Sequence, residues 1–132
     1  MKKKTKKTNN NHKEYITGSF LYLLPEETTA MQLHDALYFL GEKQLEVWTG
    51  INLLEVTTDE GTITFEDMMD SLNEGDISTL DKLGMKKVYA VDYALTDKSS
   101  LYKVMESLIE KYSGKTGSDT EDFQPFMSIK NL

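Results

Sequence analysis

The chain has 132 residues, a net charge of −7 and 39% hydrophobic residues, which is enough for one domain with its own core. It contains no cysteine, and this excludes disulfide bonds, thiolate catalysis and the usual zinc sites. It also contains no arginine; without the bidentate guanidinium group, we expect neither a phosphoryl-transfer enzyme nor a DNA-binding protein that reads bases.

The N-terminal residues differ in composition from the rest of the chain. Residues 1–14, MKKKTKKTNNNHKE, contain six of the fifteen lysines and almost no apolar side chain, so we expect a disordered tail. Residues 15–132 hold nine lysines against twenty-one acidic residues, and we expect them to form one acidic domain. No apolar run reaches the ~18 residues that cross a bilayer, so we expect no membrane segment and a cytoplasmic protein.

The first predicted elements are a strand and a helix. Residues 15–24 are apolar on both alternating faces, which is typical of an inner strand covered by helix on at least one side. Thr29 and Gln32 have the spacing of a capping box, and Gly41 is placed to end the helix that follows. Residues 43–58 then predict one long strand, or two short strands separated at Gly50.

The stretch TTDEGTITFEDMM, residues 57–69, resembles the second half of an EF-hand calcium loop. With Gly61 at the sixth loop position, the first ligand position falls on Val56, which has no side-chain oxygen, and the twelfth falls on the short Asp67. The β-branched residues around it instead predict a hairpin. In the expected register, Val56 lies opposite Phe65 and Thr58 lies opposite Ile63.

The remaining sequence predicts helices and one more strand. Residues 65–85 predict two short helices separated at 73–75, residues 86–95 a strand, and residues 99–114 a helix. The C-terminal segment is expected to pack back on the domain, because its apolar residues would otherwise be exposed. The expected fold is α+β, a mainly antiparallel sheet of about four to five strands with two to three helices packed on one face.

No catalytic machinery is evident in these elements. SGKTG at residues 113–117 resembles a phosphate-binding loop, but Ile109 stands where that loop needs its first glycine. His34 and Asp35 are adjacent on a predicted helix and are expected to point apart. We therefore expect no enzyme activity, no metal and no cofactor.

The acidic residues in and directly after the predicted hairpin are the best candidate site. On a continuous helix, Glu66, Asp70 and Glu74 share one face at i, i+4 and i+8, with Asp67 beside them. Such a face is a solvated surface, a docking site for a basic partner, or a Mg²⁺ site of a hydrolase or nuclease. The candidate partner-binding residues are Glu55, Asp59, Glu60, Glu66, Asp67, Asp70, Glu74 and Asp76.

The favoured hypothesis is a non-enzymatic module that binds a protein with a basic surface. Inhibitor and immunity-type proteins of bacteria and phages, which occupy the basic cleft of a toxin or nuclease, are similar in charge and size only. Direct nucleic-acid binding by the folded domain is not expected. The alternative is a small-ligand or metal-binding regulatory domain, with a pocket near Trp48, Tyr89 and Tyr93. The pattern indicates neither the partner nor the oligomeric state.

Overall fold

The computed structural model describes residues 14–41 and 44–132. These residues form a six-stranded antiparallel sheet and three α-helices, which confirms the predicted α+β class with a higher strand count than expected. The strands are β1 (Ile16–Leu24), β2 (Leu45–Trp48), β3 (Leu53–Thr58), β4 (Gly61–Asp67), β5 (Lys87–Leu95) and β6 (Lys115–Gly117). The helices are α1 (Ala30–Ala36), α2 (Glu74–Leu83) and α3 (Ser99–Tyr112). The strand order is β2-β3-β4-β5-β1-β6.

Apolar side chains are buried on both faces of the sheet. In β1, Phe20 and Tyr22 belong to the larger core with residues of α1 and α3, whereas Leu21 and Leu23 belong to a smaller core on the opposite face. Of the three helices in the described residues, α1 and α3 thus cover one face, as predicted, and α2 packs on the other. The continuous apolar run at residues 20–24 of β1 follows from this double coverage.

The helix ends follow local sequence signals. The side chain of Thr29 accepts a hydrogen bond from the Gln32 N–H and the Gln32 side chain accepts one from the Thr29 N–H, so the predicted capping box is confirmed. The α-helix ends earlier than expected, at Ala36, and a 3-10 turn at Tyr38–Leu40 precedes Gly41.

The predicted hairpin is present, but its predicted register was wrong by two residues. Leu54 lies opposite Phe65 and Val56 lies opposite Ile63. A shift of two keeps every side chain on its face, so the apolar residues still share one side. Gly61 is not in the turn but opens β4 with φ of 144°, and a Cβ there would lie 2.0 Å from the carbonyl oxygen of Ala94. Close approach of β5 therefore requires this glycine.

The predicted helical face of acidic residues was wrong. Glu66 and Asp67 end β4, Asp70 lies in a 3-10 turn at Met69–Ser71, and Glu74 is the first residue of α2. Residues 61–67 pair with β3 on one side and β5 on the other. Hydrogen bonds to these two neighbouring strands satisfy the backbone N–H and C=O groups of the segment. Strand pairing therefore outweighs the helical spacing of its acidic residues.

The C-terminal segment packs on the domain. Phe123 is 3% exposed and Leu132 is 7% exposed. Shortly after α3, residues 115–117 form β6, which pairs with β1. The outer edge of β6 is partly covered, because Thr116 forms a bridge with Met127.

Candidate partner-binding face

Half of one sheet face is open and acidic. A row of directly paired residues crosses five strands on the face opposite α1 and α3: Glu46, Glu55, Thr64, Asp92 and Ser19. Glu66 lies on the same face in the next row, between Leu53 and Ala90. We call Glu46, Glu55, Glu66 and Asp92 the carboxylate face.

Each carboxylate of this face is directly opposite or diagonal to another one. Glu46 lies directly opposite Glu55, and facing residues on antiparallel strands have Cβ atoms about 5 Å apart. Glu66 is diagonal to both Glu55 and Asp92, at roughly 7–8 Å. Like charges in such positions repel. Residues 44–81, which include three of the four carboxylates, contain no lysine.

The face is open because α2 covers only one end of the sheet. Leu21, Leu23 and Val88 are buried there with Leu80 of α2 and Phe123. Further along the same face, the side chains of Glu46, Glu66 and Asp92 are exposed and that of Glu55 is half-buried. Trp48 lies at the far edge of this face, on β2, with 42% of its surface exposed.

The structure places the sequence-predicted acidic residues in three environments. Glu55 and Glu66 belong to the carboxylate face. Asp59, Asp70 and Glu74 are exposed in the β3–β4 turn, the 3-10 turn and the start of α2.

The remaining three have partners within the domain. Ser100 donates a hydrogen bond to Glu60. Asp76 accepts one from the Asn73 N–H at the start of α2. Asp67 is held in a larger polar network.

Two residues of the carboxylate face, Glu46 and Asp92, were missed by the sequence analysis. Both lie on predicted strands, and alternation alone places each on one strand face. The cross-strand register that aligns them with Glu55 depends on the order β2-β3-β4-β5, which the sequence pattern does not specify.

The polar network around Asp67 joins four parts of the chain. Lys87 Nζ lies 2.8 Å from Asp67 Oδ2, and Asn52 Nδ2 donates to the same oxygen at 2.8 Å. The Met69 N–H donates to Asp67 Oδ1 at 2.7 Å. Asn52 Oδ1 accepts from the Ala30 N–H at 2.7 Å, which ties the start of α1 to the β2–β3 turn. This carboxylate is therefore structural and does not belong to the carboxylate face.

The pKa of Asp67 reflects these contacts. Burial by itself acts to raise the pKa of the carboxyl group, but the hydrogen bonds from Lys87, Met69 and Asn52, together with the charge of Lys87, outweigh it. The pKa of Asp67 therefore lies below its usual value, and the ionised form is the one that the fold stabilises.

The predicted ligand pocket near Trp48, Tyr89 and Tyr93 is not assembled. Tyr89 and Tyr93 are buried in the core under α1 and α3, whereas Trp48 lies on the opposite face of the sheet. The Tyr89 hydroxyl donates to the carbonyl of Thr28 at 2.6 Å and accepts from Asn52 at 2.9 Å. Burial raises the pKa of Tyr89 well above its usual value. This tyrosine is a core residue with satisfied hydrogen bonds.

A cavity of about 300 Å³ opens elsewhere, between the β3–β4 turn and the start of α3. Its lining includes Asp59, Glu60, Ser99, Ser100, Lys103 and Val104. Its lining thus combines acidic, hydroxyl and basic groups.

The geometry of His34 and Asp35 differs from the prediction. Its Nδ1 lies 3.0 Å from Asp35 Oδ1, so the two adjacent side chains meet rather than point apart. Asp35 is largely exposed. Among residues 14–41 and 44–132, no three His, Asp or Glu side chains are grouped in a way that would hold a metal ion.

Comparison with known proteins gives no family. No family model matches the chain, and no curated protein or solved structure is significantly similar to it. In the part of the chain that the structure describes, no helix is long and apolar enough to cross a membrane.

Proposed function

We propose that this protein is a non-enzymatic binding module whose carboxylate face docks on a basic surface of another protein. The observation that carries this proposal is the placement of four acidic side chains on one open half of a sheet face, with a directly opposed pair at Glu46 and Glu55. This arrangement costs stability through repulsion. A basic partner would turn that repulsion into attraction.

The shape and charge of the face suit a protein partner. Strands β2, β3 and β4 form an exposed surface with Trp48 at its edge, and tryptophan is enriched among the residues that contribute most to protein–protein binding. Grouped carboxylates attract a basic surface over a distance and speed its encounter. A cleft that normally holds nucleic-acid phosphates has this charge, so a nuclease or toxin with a basic cleft is the partner class we propose.

Site-specific photo-crosslinking in the cells that make the protein tests this proposal. A photo-reactive residue at Thr64, in the middle of the carboxylate face, is compared with one at Ser107 on α3. We expect the Thr64 protein to form a defined adduct with a basic protein and the Ser107 protein to form none. The same adducts from both positions, or no adduct at Thr64, would contradict the proposal.

A further inference from the structure

The N-terminal residues enter the domain beside the carboxylate face. Strand β1 begins at Ile16, which pairs with Leu95 of β5, and Leu95 in turn pairs with Gly61 of β4. Thr17 and Ser19 are the first β1 residues on the open side of the sheet, and Ser19 pairs with Asp92. Residues 1–13, which lie outside the described residues, are therefore attached at the border of this face.

Residues 1–13 and the carboxylate face have complementary charge. The segment MKKKTKKTNNNHK contains six lysines and no acidic residue. Three of the four acidic side chains of the carboxylate face, Glu46, Glu55 and Glu66, lie within residues 44–81, which include no lysine. Trp48 adds an exposed aromatic ring at the far edge, and lysine ammonium groups are attracted to such a ring.

The segment is also long enough to cross the face. Thirteen residues in extended form span roughly 40 Å, whereas β1 and β2, four strand spacings apart in the sheet, are separated by about 19 Å. Because the segment is covalently attached, its effective concentration at the face is in the millimolar range. Weak individual lysine–carboxylate pairs then suffice for occupancy at low salt.

We propose that residues 1–13 dock on the carboxylate face and act as an internal competitor for it. A basic partner has to displace this segment, so the segment sets the affinity threshold for partners and excludes weakly basic ones. This regulatory role rests on the proposed function, whereas the docking contact itself does not.

Paramagnetic relaxation enhancement tests the contact in the isolated protein. The chain has no cysteine, so Thr5→Cys gives a single site for a nitroxide label. At about 20 mM salt we expect amide signals of Glu46, Glu55 and Asp92 to broaden, and at about 0.5 M salt we expect them to recover, because screening weakens the contact. No broadening on this face, or equal broadening along α3, would overturn the proposal.

A matched pair of variants shows whether the carboxylates are the cause. Glu46→Gln/Glu55→Gln/Asp92→Asn removes three charges from the face, and Glu26→Gln/Glu106→Gln/Glu110→Gln removes three exposed charges elsewhere. The first set is expected to abolish the broadening and the second to leave it. Loss of broadening in both sets would show an effect of net charge alone and would contradict docking at this face.

Competition in trans provides an independent measurement. A synthetic peptide of residues 1–13 is titrated into the full-length chain and into a chain that lacks these residues. We expect the peptide to bind the truncated chain at least about tenfold more tightly, because the tethered segment otherwise occupies the site. Equal binding to both chains, or binding to neither, would contradict the proposal. If docking is observed but the Thr64 crosslink is absent, the proposed partner function fails and the internal contact stands.

Discussion

The two faces of the sheet differ sharply although the same strands form both. The face under α1 and α3 carries fully buried residues on every strand from β1 to β5 except the short β2, where Leu45 is 8% exposed. On the opposite face, burial is limited to the end under α2, and the carboxylate face fills the remaining half. Adjacent residues of a strand thus belong to different environments. The larger core lies on one face, and the other face is only partly covered.

The largest expected contrast is between two neighbouring leucines of β3. Leu54 is fully buried in the main core, and Leu53 is half-buried beside the carboxylate face. Leu54→Ala should lower the unfolding free energy by about 2–5 kcal/mol, through lost burial and a new cavity. Leu53→Ala should cost about 1 kcal/mol or less, because its side chain retains contact with solvent. Urea unfolding of both variants measures the difference. Equal losses would contradict the two-face description.

A second contrast concerns adjacent acidic residues of β4. Asp67→Asn should lower the unfolding free energy by about 1–3 kcal/mol, since it removes the charge partner of Lys87 and disturbs the bonds to Asn52 and Met69. Glu66→Gln, one residue earlier and exposed, should change it by about 0.5 kcal/mol or less. A large effect of Glu66→Gln on stability would show that the carboxylate face is structural.

The pH dependence of stability sharpens the same contrast. Because the folded state lowers the pKa of Asp67, the group stabilises the fold fully above its unfolded pKa of about 3.9. That contribution is lost as the pH falls through the lower pKa of the folded state. The gap in unfolding free energy between the natural chain and Asp67→Asn should therefore be constant near neutral pH and shrink below about pH 4. Urea titrations across this range measure it, and a gap that widens in acid would contradict the assignment.

The sequence predicted most of the helices and strands, and it predicted which apolar residues share a strand face. Alternation in residues 86–95 and helical spacing in residues 99–112 are local signals, and both elements lie close to where they were expected. The C-terminal segment was also predicted to pack back, because Phe123 and its apolar neighbours needed burial. The α+β class followed from the order of these elements.

The candidate site was harder to predict because it depends on long-range pairing. Glu66, Asp70 and Glu74 have helical spacing, yet pairing with β3 and β5 keeps Glu66 in a strand. Glu46 and Asp92 are 46 residues apart in sequence, and only the strand order brings them into one row. The network at Asn52 likewise depends on a positive φ of 51° in a turn whose conformation no local motif indicated.

The smallest expected change in stability comes from neutralising the carboxylate face itself. In a chain that lacks residues 1–13, Glu46→Gln/Glu55→Gln/Asp92→Asn should leave the unfolding free energy within about 0.5 kcal/mol or raise it slightly, because like charges no longer face each other. Thermal unfolding at low and high salt measures this, and the difference between the variant and the truncated chain without the substitutions should diminish with salt. A clear destabilisation by the triple substitution would mean that these carboxylates have stabilising partners within the domain.

The most direct test of the central claim is the association kinetics of the partner captured at Thr64. We predict that Glu46→Gln/Glu55→Gln/Asp92→Asn slows association by about tenfold or more at low salt and flattens its salt dependence, because steering charges are removed. The control set Glu26→Gln/Glu106→Gln/Glu110→Gln should change the association rate much less. An unchanged rate and salt dependence in the first set, or equal slowing in both sets, would contradict the assignment of the carboxylate face as the binding surface.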